Sequence, residues 1–236
     1  MAYTSIDNPE LYFQVKIYTG TGSSNALTLD GDTDMQPDLV YLKRRDADAP
    51  PMFFDAIRGA TKRLQTNNTD AEATGSEQLT AFGSDGFTVG TNSDANNSSA
   101  TYVAWCWKES ATSGFDIDSN SGTGSARTEA HSLSAVPHVI FMKSTNDTTN
   151  WAVYHHRNTS APATDYLRLN DSRATADDAE RWNTRTPRLA SSAWVLIVKL
   201  MLVAIIIFLI YGVKNKASVS LEATQEMEML MDHLFT

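Results

Sequence analysis

Pro37-Asp38-Leu39-Val40-Tyr41-Leu42-Lys43 is followed, 100 residues on, by Pro137-His138-Val139-Ile140-Phe141-Met142-Lys143. Each stretch is a proline, a polar residue, four apolar residues and a lysine. A short apolar run that begins just after a proline turn reads as a β-strand. The flanking sequence repeats in the same order. Thr19-Gly20-Thr21-Gly22-Ser23 is answered by Ser121-Gly122-Thr123-Gly124-Ser125. Met52-Phe53-Phe54-Asp55 is answered by Trp151-Ala152-Val153-Tyr154, and Arg63-Leu64-Gln65-Thr66-Asn67 by Tyr166-Leu167-Arg168-Leu169-Asn170. Ala71-Glu72-Ala73-Thr74 is matched by Ala174-Thr175-Ala176-Asp177. Apolar residues align with apolar and turns with turns throughout, which identifies a duplicated module.

The rest of the first copy reads as strands and polar turns. Phe13, Val15 and Ile17 alternate with Gln14 and Lys16, the period of a half-buried strand. Ala26-Leu27-Thr28-Leu29, Gly86-Phe87-Thr88-Val89-Gly90 and Tyr102-Val103-Ala104-Trp105-Cys106-Trp107 read the same way. The last of these sets Tyr102, Ala104 and Cys106 on one face and Val103, Trp105 and Trp107 on the other. Residues 67–74 could form a short helical turn. The expected fold class is mainly β: tandem antiparallel β-sandwich modules of jelly-roll or lectin-like type. A complete module is expected over residues 1–110 and a truncated second copy over 111–189.

The truncation is inferred from the sequence after residue 187, where the strands matching Gly86–Gly90 and Tyr102–Trp107 should stand. Trp194 to Val213 reads WVLIVKLMLVAIIIFLIYGV instead, with Lys199 its only charge. About 20 apolar residues can cross a bilayer as a helix. The expectation is a hydrophobic, membrane-competent helix over 190–214, with membrane contact through residues 194–213. The competing readings are a buried core helix, or strands that replace the missing ones. Residues 215–236 read as a short amphipathic tail, with Met227, Leu230, Met231 and Leu234 at helical spacing.

Composition narrows the function classes. The formal charge is −9, and Lys43, Arg44 and Arg45 are the only basic run, so no nucleic-acid partner is expected. One cysteine, Cys106, excludes an internal disulfide and a cysteine-rich zinc site. Residues 1–13 have neither the basic start nor the apolar core of a secretory signal. Asp30, Asp32 and Asp34 alternate as calcium-loop ligands do, but Met35 and Tyr41 stand where such a loop needs Gly and Glu. Asp116, Asp118 and Asn120 fall on the strand equivalent to residues 14–18. His131, His138, His155 and His156 all lie in copy two with no counterpart set in copy one, and strand alternation separates His155 from His156. Asn67, Asn146 and Asn158 are among six Asn-x-Ser/Thr matches, which this composition produces unaided. Trp105 and Trp107 read as core; Trp151 and Trp182 belong to copy two. No catalytic, cofactor or metal residue is assigned, and no enzyme activity or cofactor is expected.

Several of these stretches resemble structural and tail-fibre proteins of marine tailed bacteriophages. The resemblance rests on Ser5-Ile6-Asp7-Asn8-Pro9 with Tyr18-Thr19-Gly20-Thr21-Gly22-Ser23, and above all on Phe54-Asp55-Ala56-Ile57-Arg58-Gly59-Ala60-Thr61-Lys62. Leu79–Gly90, Tyr102–Lys108 and Trp151-Ala152-Val153-Tyr154-His155 extend it, so that it covers residues 2–187. It implies a non-enzymatic virion component of the tail or its fibres, acting in assembly or host attachment. Expected partners are other virion proteins, host surface glycans and further copies of the chain as a homo-oligomer. The alternative is a single-pass membrane protein that tethers the β modules, their N-terminal part cytoplasmic.

Overall fold

A computed structural model describes residues 6–179 and 181–182, and the backbone of 191–194 and 201–207. Copy one holds β1 (Phe13–Thr19), β2 (Asn25–Thr28), β3 (Leu39–Arg44), β4 (Met52–Asp55), β5 (Lys62–Gln65), β6 (Ala73–Thr74), β7 (Leu79–Gly83), β8 (Gly86–Val89) and β9 (Thr101–Trp107). A one-turn helix, α1 (Ser93–Asn96), precedes β9. Copy two holds β10 (Asp116–Ser121), β11 (Arg127–Ala130), β12 (Val139–Ser144), β13 (Ala152–His155), β14 (Asp165–Arg168), β15 (Ala176–Asp177), β16 (Ser191–Trp194) and β17 (Met201–Ile207). The chain is mainly β and its strand pairs are antiparallel, as the repeat predicts.

The two copies build equivalent sheets. Copy one forms a six-stranded sheet, β1-β9-β3-β4-β5-β6, and a three-stranded sheet, β2-β8-β7. Copy two forms β10-β17-β12-β13-β14-β15 and a two-stranded β11-β16. One core joins the two sheets of copy one: Tyr18, Val40, Leu42, Met52, Phe54, Tyr102, Ala104 and Cys106 meet Leu27, Leu79, Phe87 and Val89. The opposite face of the same large sheet packs on copy two, where Leu39, Tyr41, Phe53, Leu64 and Trp107 meet Phe115, Ile117, Val139, Phe141, Trp151 and Val153. On the far face of copy two, Ile140, Met142, Ala152, Tyr154 and Tyr166 pack with Leu133 and Trp182. Each large sheet therefore buries both faces. That is why β3 and β12 are unbroken apolar runs and not alternating ones: all four of Leu39, Val40, Tyr41 and Leu42 are buried to 1% or less.

Four expectations need correction. The apolar segment is no helix where it is described: Met201–Ile207 is a strand lying between β10 and β12, with Ile140 opposite Ile206 and Met142 opposite Ala204. Val203, Ile205, Ile206 and Ile207 are β-branched and favour extended backbone, and the slot supplies hydrogen-bond partners on both sides. Hydropathy alone could not separate this from a membrane helix. Among the described residues, no helix is long and apolar enough to cross a membrane. Second, the strands expected to be missing from copy two have counterparts among the described residues: β16 and β17 occupy the places of β8 and β9. Third, residues 67–74 form no helical turn; they run through a turn into β6. Fourth, the repeat register at β13 slips by one: Met52 pairs with Leu42 as Ala152 pairs with Met142, so Ala152, not Trp151, is the counterpart of Met52. Lys199 and the amphipathic tail over 215–236 lie outside the described residues.

The placement of β17 has a direct test. Paired antiparallel residues sit about 4.5–5.5 Å apart at Cα, inside the span a disulfide needs. A Met142→Cys/Ala204→Cys chain is expected to oxidise within one molecule and migrate faster on a non-reducing gel. Met142→Cys/Ile207→Cys, three residues out of register, is expected not to. Equal cross-linking by both pairs, or by neither, would remove β17 from this slot.

Candidate functional site

The sequence that carries the family resemblance most specifically is a turn. β4 ends at Asp55, whose side chain is fully buried, and Arg58 folds back on it with its own side chain 2% exposed. The Arg58 N–H donates to Asp55 Oδ1 at 2.9 Å and the guanidinium Nε–H to Oδ2 at 2.6 Å. Arg58 Nη1 donates to Glu72 Oε2 at 3.2 Å, and Lys62 Nζ stands 3.4 Å from Glu72 Oε1. Gly59 closes the turn at φ +100°, which a side chain would strain. These buried charges are paired, as burial demands. The arrangement locks the β4–β5 turn onto the loop that leads into β6. Ile57, at the tip, is 48% exposed.

Copy two keeps the entry to this turn, makes the turn longer and changes its chemistry. The Ala56 N–H donates to Asp38 O at 2.8 Å, and the His156 N–H to His138 O at 2.9 Å. Asp55, Arg58 and Glu72 become His155, Asn158 and Thr175, and the Thr175 hydroxyl donates to Asn158 Oδ1 at 3.1 Å. A neutral hydrogen bond thus replaces the ion pair. Three histidines gather here. The rings of His138 and His156 are 3.9 Å apart at their centroids, and those of His155 and His156 are 5.5 Å apart. Strand alternation does not separate His155 from His156 because β13 ends at His155. The signal that could have found the cluster is the repeat itself, which sets residues 138 and 156 across the same strand end as Asp38 and Ala56. Burial, then His138, then Arg157 lower the His155 pKa below its usual value; His156 is lowered by burial, His138, His155 and Arg157.

A second cluster sits on the link between the copies. The Glu109 N–H donates to Asp38 Oδ2 at 2.8 Å. Its carboxyl faces Asp116, which is itself buried and accepts from the Ser132 N–H at 3.2 Å and from the Ser132 hydroxyl. Burial first, then Asp116, then Asp38 and Asp118 raise the Glu109 carboxyl to about 7. Crowding by these carboxylates favours the protonated form of Glu109 at the joint.

The other sequence candidates resolve into packing. Asp30 pairs with Lys16, and the Asp32 N–H donates to Glu10 Oε2 at 2.9 Å. His131 Nδ1 accepts the Leu133 N–H at 3.3 Å. Asp116, Asp118 and Asn120 lie on β10, as the repeat register places them. Among the described residues, no group of three or more His, Cys, Asp and Glu side chains is placed to hold a metal ion. Trp107 and Trp151 are buried in the seam between the copies and Trp105 packs against it. The Trp151 Nε1–H reaches across to Gln65 O at 2.8 Å. Trp182 donates to Asp165 O at 2.9 Å and stacks edge-on against Tyr154. Cys106 is fully buried, which pushes its thiol pKa up and keeps it unreactive.

Residues 8–200 match one protein family, described as a domain of unknown function, DUF7483. The match runs past residue 187 and takes in β16. No curated protein and no solved structure matches the chain.

Two substitutions probe this geometry. Arg58→Ala strands the buried Asp55 carboxylate and is expected to cost about 3–5 kcal/mol in chemical unfolding. Asp55→His/Arg58→Asn/Glu72→Thr, which copies the second module, is expected to lose clearly less. A triple variant as weak as Arg58→Ala would show that the two turns are not interchangeable. Glu109 sets a pH dependence. Its folded pKa is raised from 4.5 to about 7, so between those values the folded state keeps a proton that the unfolded state has released. Stability from this group is full below pH 4.5 and falls as pH rises to about 7. Glu109→Gln is expected to flatten that part of the melting temperature–pH curve. An unchanged slope would show that Glu109 is not held protonated in the folded state.

Proposed function

We propose that this chain, which belongs to the DUF7483 family, is a non-enzymatic structural protein of a tailed-phage virion, in the tail or its fibres, acting in assembly or host attachment. The observation that carries this reading is the stack of two copies of one antiparallel module on a shared apolar seam. Such a stack holds two equivalent sets of hairpin ends on one rigid body, the geometry that repeated contact with neighbours uses. The resemblance of residues 2–187 to phage tail and fibre proteins supports the setting. The buried charges also suit a scaffold, since Asp55, Arg58 and Glu72 are spent on locking a turn. Between the two roles, assembly is favoured. The exposed large apolar side chains among the described residues are Leu11, Ile17, Ile57 and Val136, and none is an aromatic that would stack on a host glycan. The partners are then other virion proteins and further copies of this chain.

Mass spectrometry of purified particles tests the reading. The chain is expected in the particle at a copy number typical of structural components. Its presence in infected cells but not in particles would overturn the proposal.

A further inference from the structure

We propose that two molecules of this chain join at the free edge of β1, β1 to β1 across a twofold axis, so that the large sheets of the two copy-one modules run on as one. The hydrogen-bond pattern opens this edge. Just outside the β1–β9 ladder, the Lys108 N–H donates to Tyr12 O and the Gly20 N–H to Ala100 O, both at 2.8 Å. Bonded pairs alternate along an antiparallel ladder, so Gln14, Lys16 and Tyr18 spend their backbone groups on β9. Phe13, Val15, Ile17 and Thr19 point theirs the other way, and among the described residues no strand pairs with that side. The other edges of the two large sheets are short or polar. β6 and β15 are two residues each. β10, the counterpart of β1, sets Ser119 opposite Val203 where β1 sets Ile17 opposite Val103, and Arg127 Nη1 donates to Ser121 O at its end at 2.6 Å. Long edges are normally guarded by charge, proline or a bulge. β1 has neither proline nor bulge, Lys16 is drawn onto Asp30, and Ile17 is 47% exposed.

The register names the occupant. An antiparallel pair centred on Val15 sets Val15 opposite its own copy and Phe13 opposite Ile17 of the other molecule. Every hydrogen-bonded pair there is apolar on apolar, the kind of cross-strand pair that stabilises a sheet. Lys16 then faces Gln14, which keeps the two lysines apart. Phe13, Val15 and Ile17 share one side of the strand, and it is the seam side: Phe13 packs against the seam core, its ring 5.1 Å from that of Trp107. Each Ile17 is thereby placed beside an anchored Phe13, and the apolar seam continues across the axis. Main-chain bonds supply the affinity, as in other strand additions, and a contact of β1 with itself closes at two molecules. The inference deepens the assembly reading, on which its role in a particle rests, while the contact itself stands on β1 alone.

Sedimentation velocity of the purified full chain over a range of concentrations tests this. A monomer–dimer equilibrium with no larger species is expected. Ile17→Pro removes an outward N–H that β9 does not use, which an edge strand tolerates, and is expected to abolish the dimer. Ile17→Lys, which places a charge on the edge, is expected to weaken it about tenfold through the two apolar pairs lost. Ser119→Lys, at the matching place on β10, is expected to leave it unchanged. Melting temperatures check that the variants fold; if Ile17→Pro does not, Ile17→Lys decides. A parent chain that stays monomeric, or a dimer that survives the Ile17 substitutions, would overturn the proposal. So would equal loss in Ser119→Lys, which marks a β1–β10 contact instead. The measurement needs no virion, so its failure and that of the particle analysis are distinct.

Discussion

The stacking of one large sheet on the other is the interaction on which the rest of the structure depends. Phe53 meets Trp151 edge-on at 5.7 Å, and Trp107 faces Phe115 at 6.4 Å. Polar bonds finish the seam: Trp151 reaches Gln65 O, and the Glu72 N–H donates to Thr145 O at 2.9 Å. Burying apolar area is worth about 25 cal/mol per Å², and aromatic side chains carry the most area per residue. Neither large sheet could leave this face in water, because Leu39, Tyr41 and Phe53 on one side and Val139, Phe141 and Val153 on the other have no polar alternative. The two copies therefore form one body.

That constraint explains where the copies could diverge. Inside the seam and the two outer cores, positions are held to apolar residues by packing from both sides. At the hairpin ends the backbone is set by main-chain bonds, Ala56 to Asp38 in one copy and His156 to His138 in the other. Side chains there only have to satisfy one another. Copy one does so with a buried ion network around Arg58, and copy two with Asn158, Thr175 and a group of imidazoles. The same fold thus carries a charge-locked end and a histidine-lined end.

The link between copies has its own chemistry. Glu109 faces Asp116 where β9 hands over to β10, with Asp38 and Asp118 close by. Carboxyls placed together at a joint make its electrostatics depend on pH even though the apolar seam does not.

The duplication, the β class and most strands were legible in the residues themselves, because period-two patterns and turn residues are local properties. So was the two-faced reading of Tyr102–Trp107, and with it the burial of Trp107. The unbroken runs Leu39–Leu42 and Val139–Met142 hinted at cover on both sides, but only the tertiary structure supplied the partner, since which face meets which is not written in any one strand. The apolar segment is the clearest case. Its composition suits a membrane helix and a central strand equally well, and hydropathy cannot choose between them. The open slot between β10 and β12 decides for Met201–Ile207, because unpaired backbone groups in a buried sheet must find a partner. The candidate sites divide in the same way. Asp55, Arg58 and Glu72 are separate letters until a turn closes on them, and His138 meets His156 only because two strands end side by side.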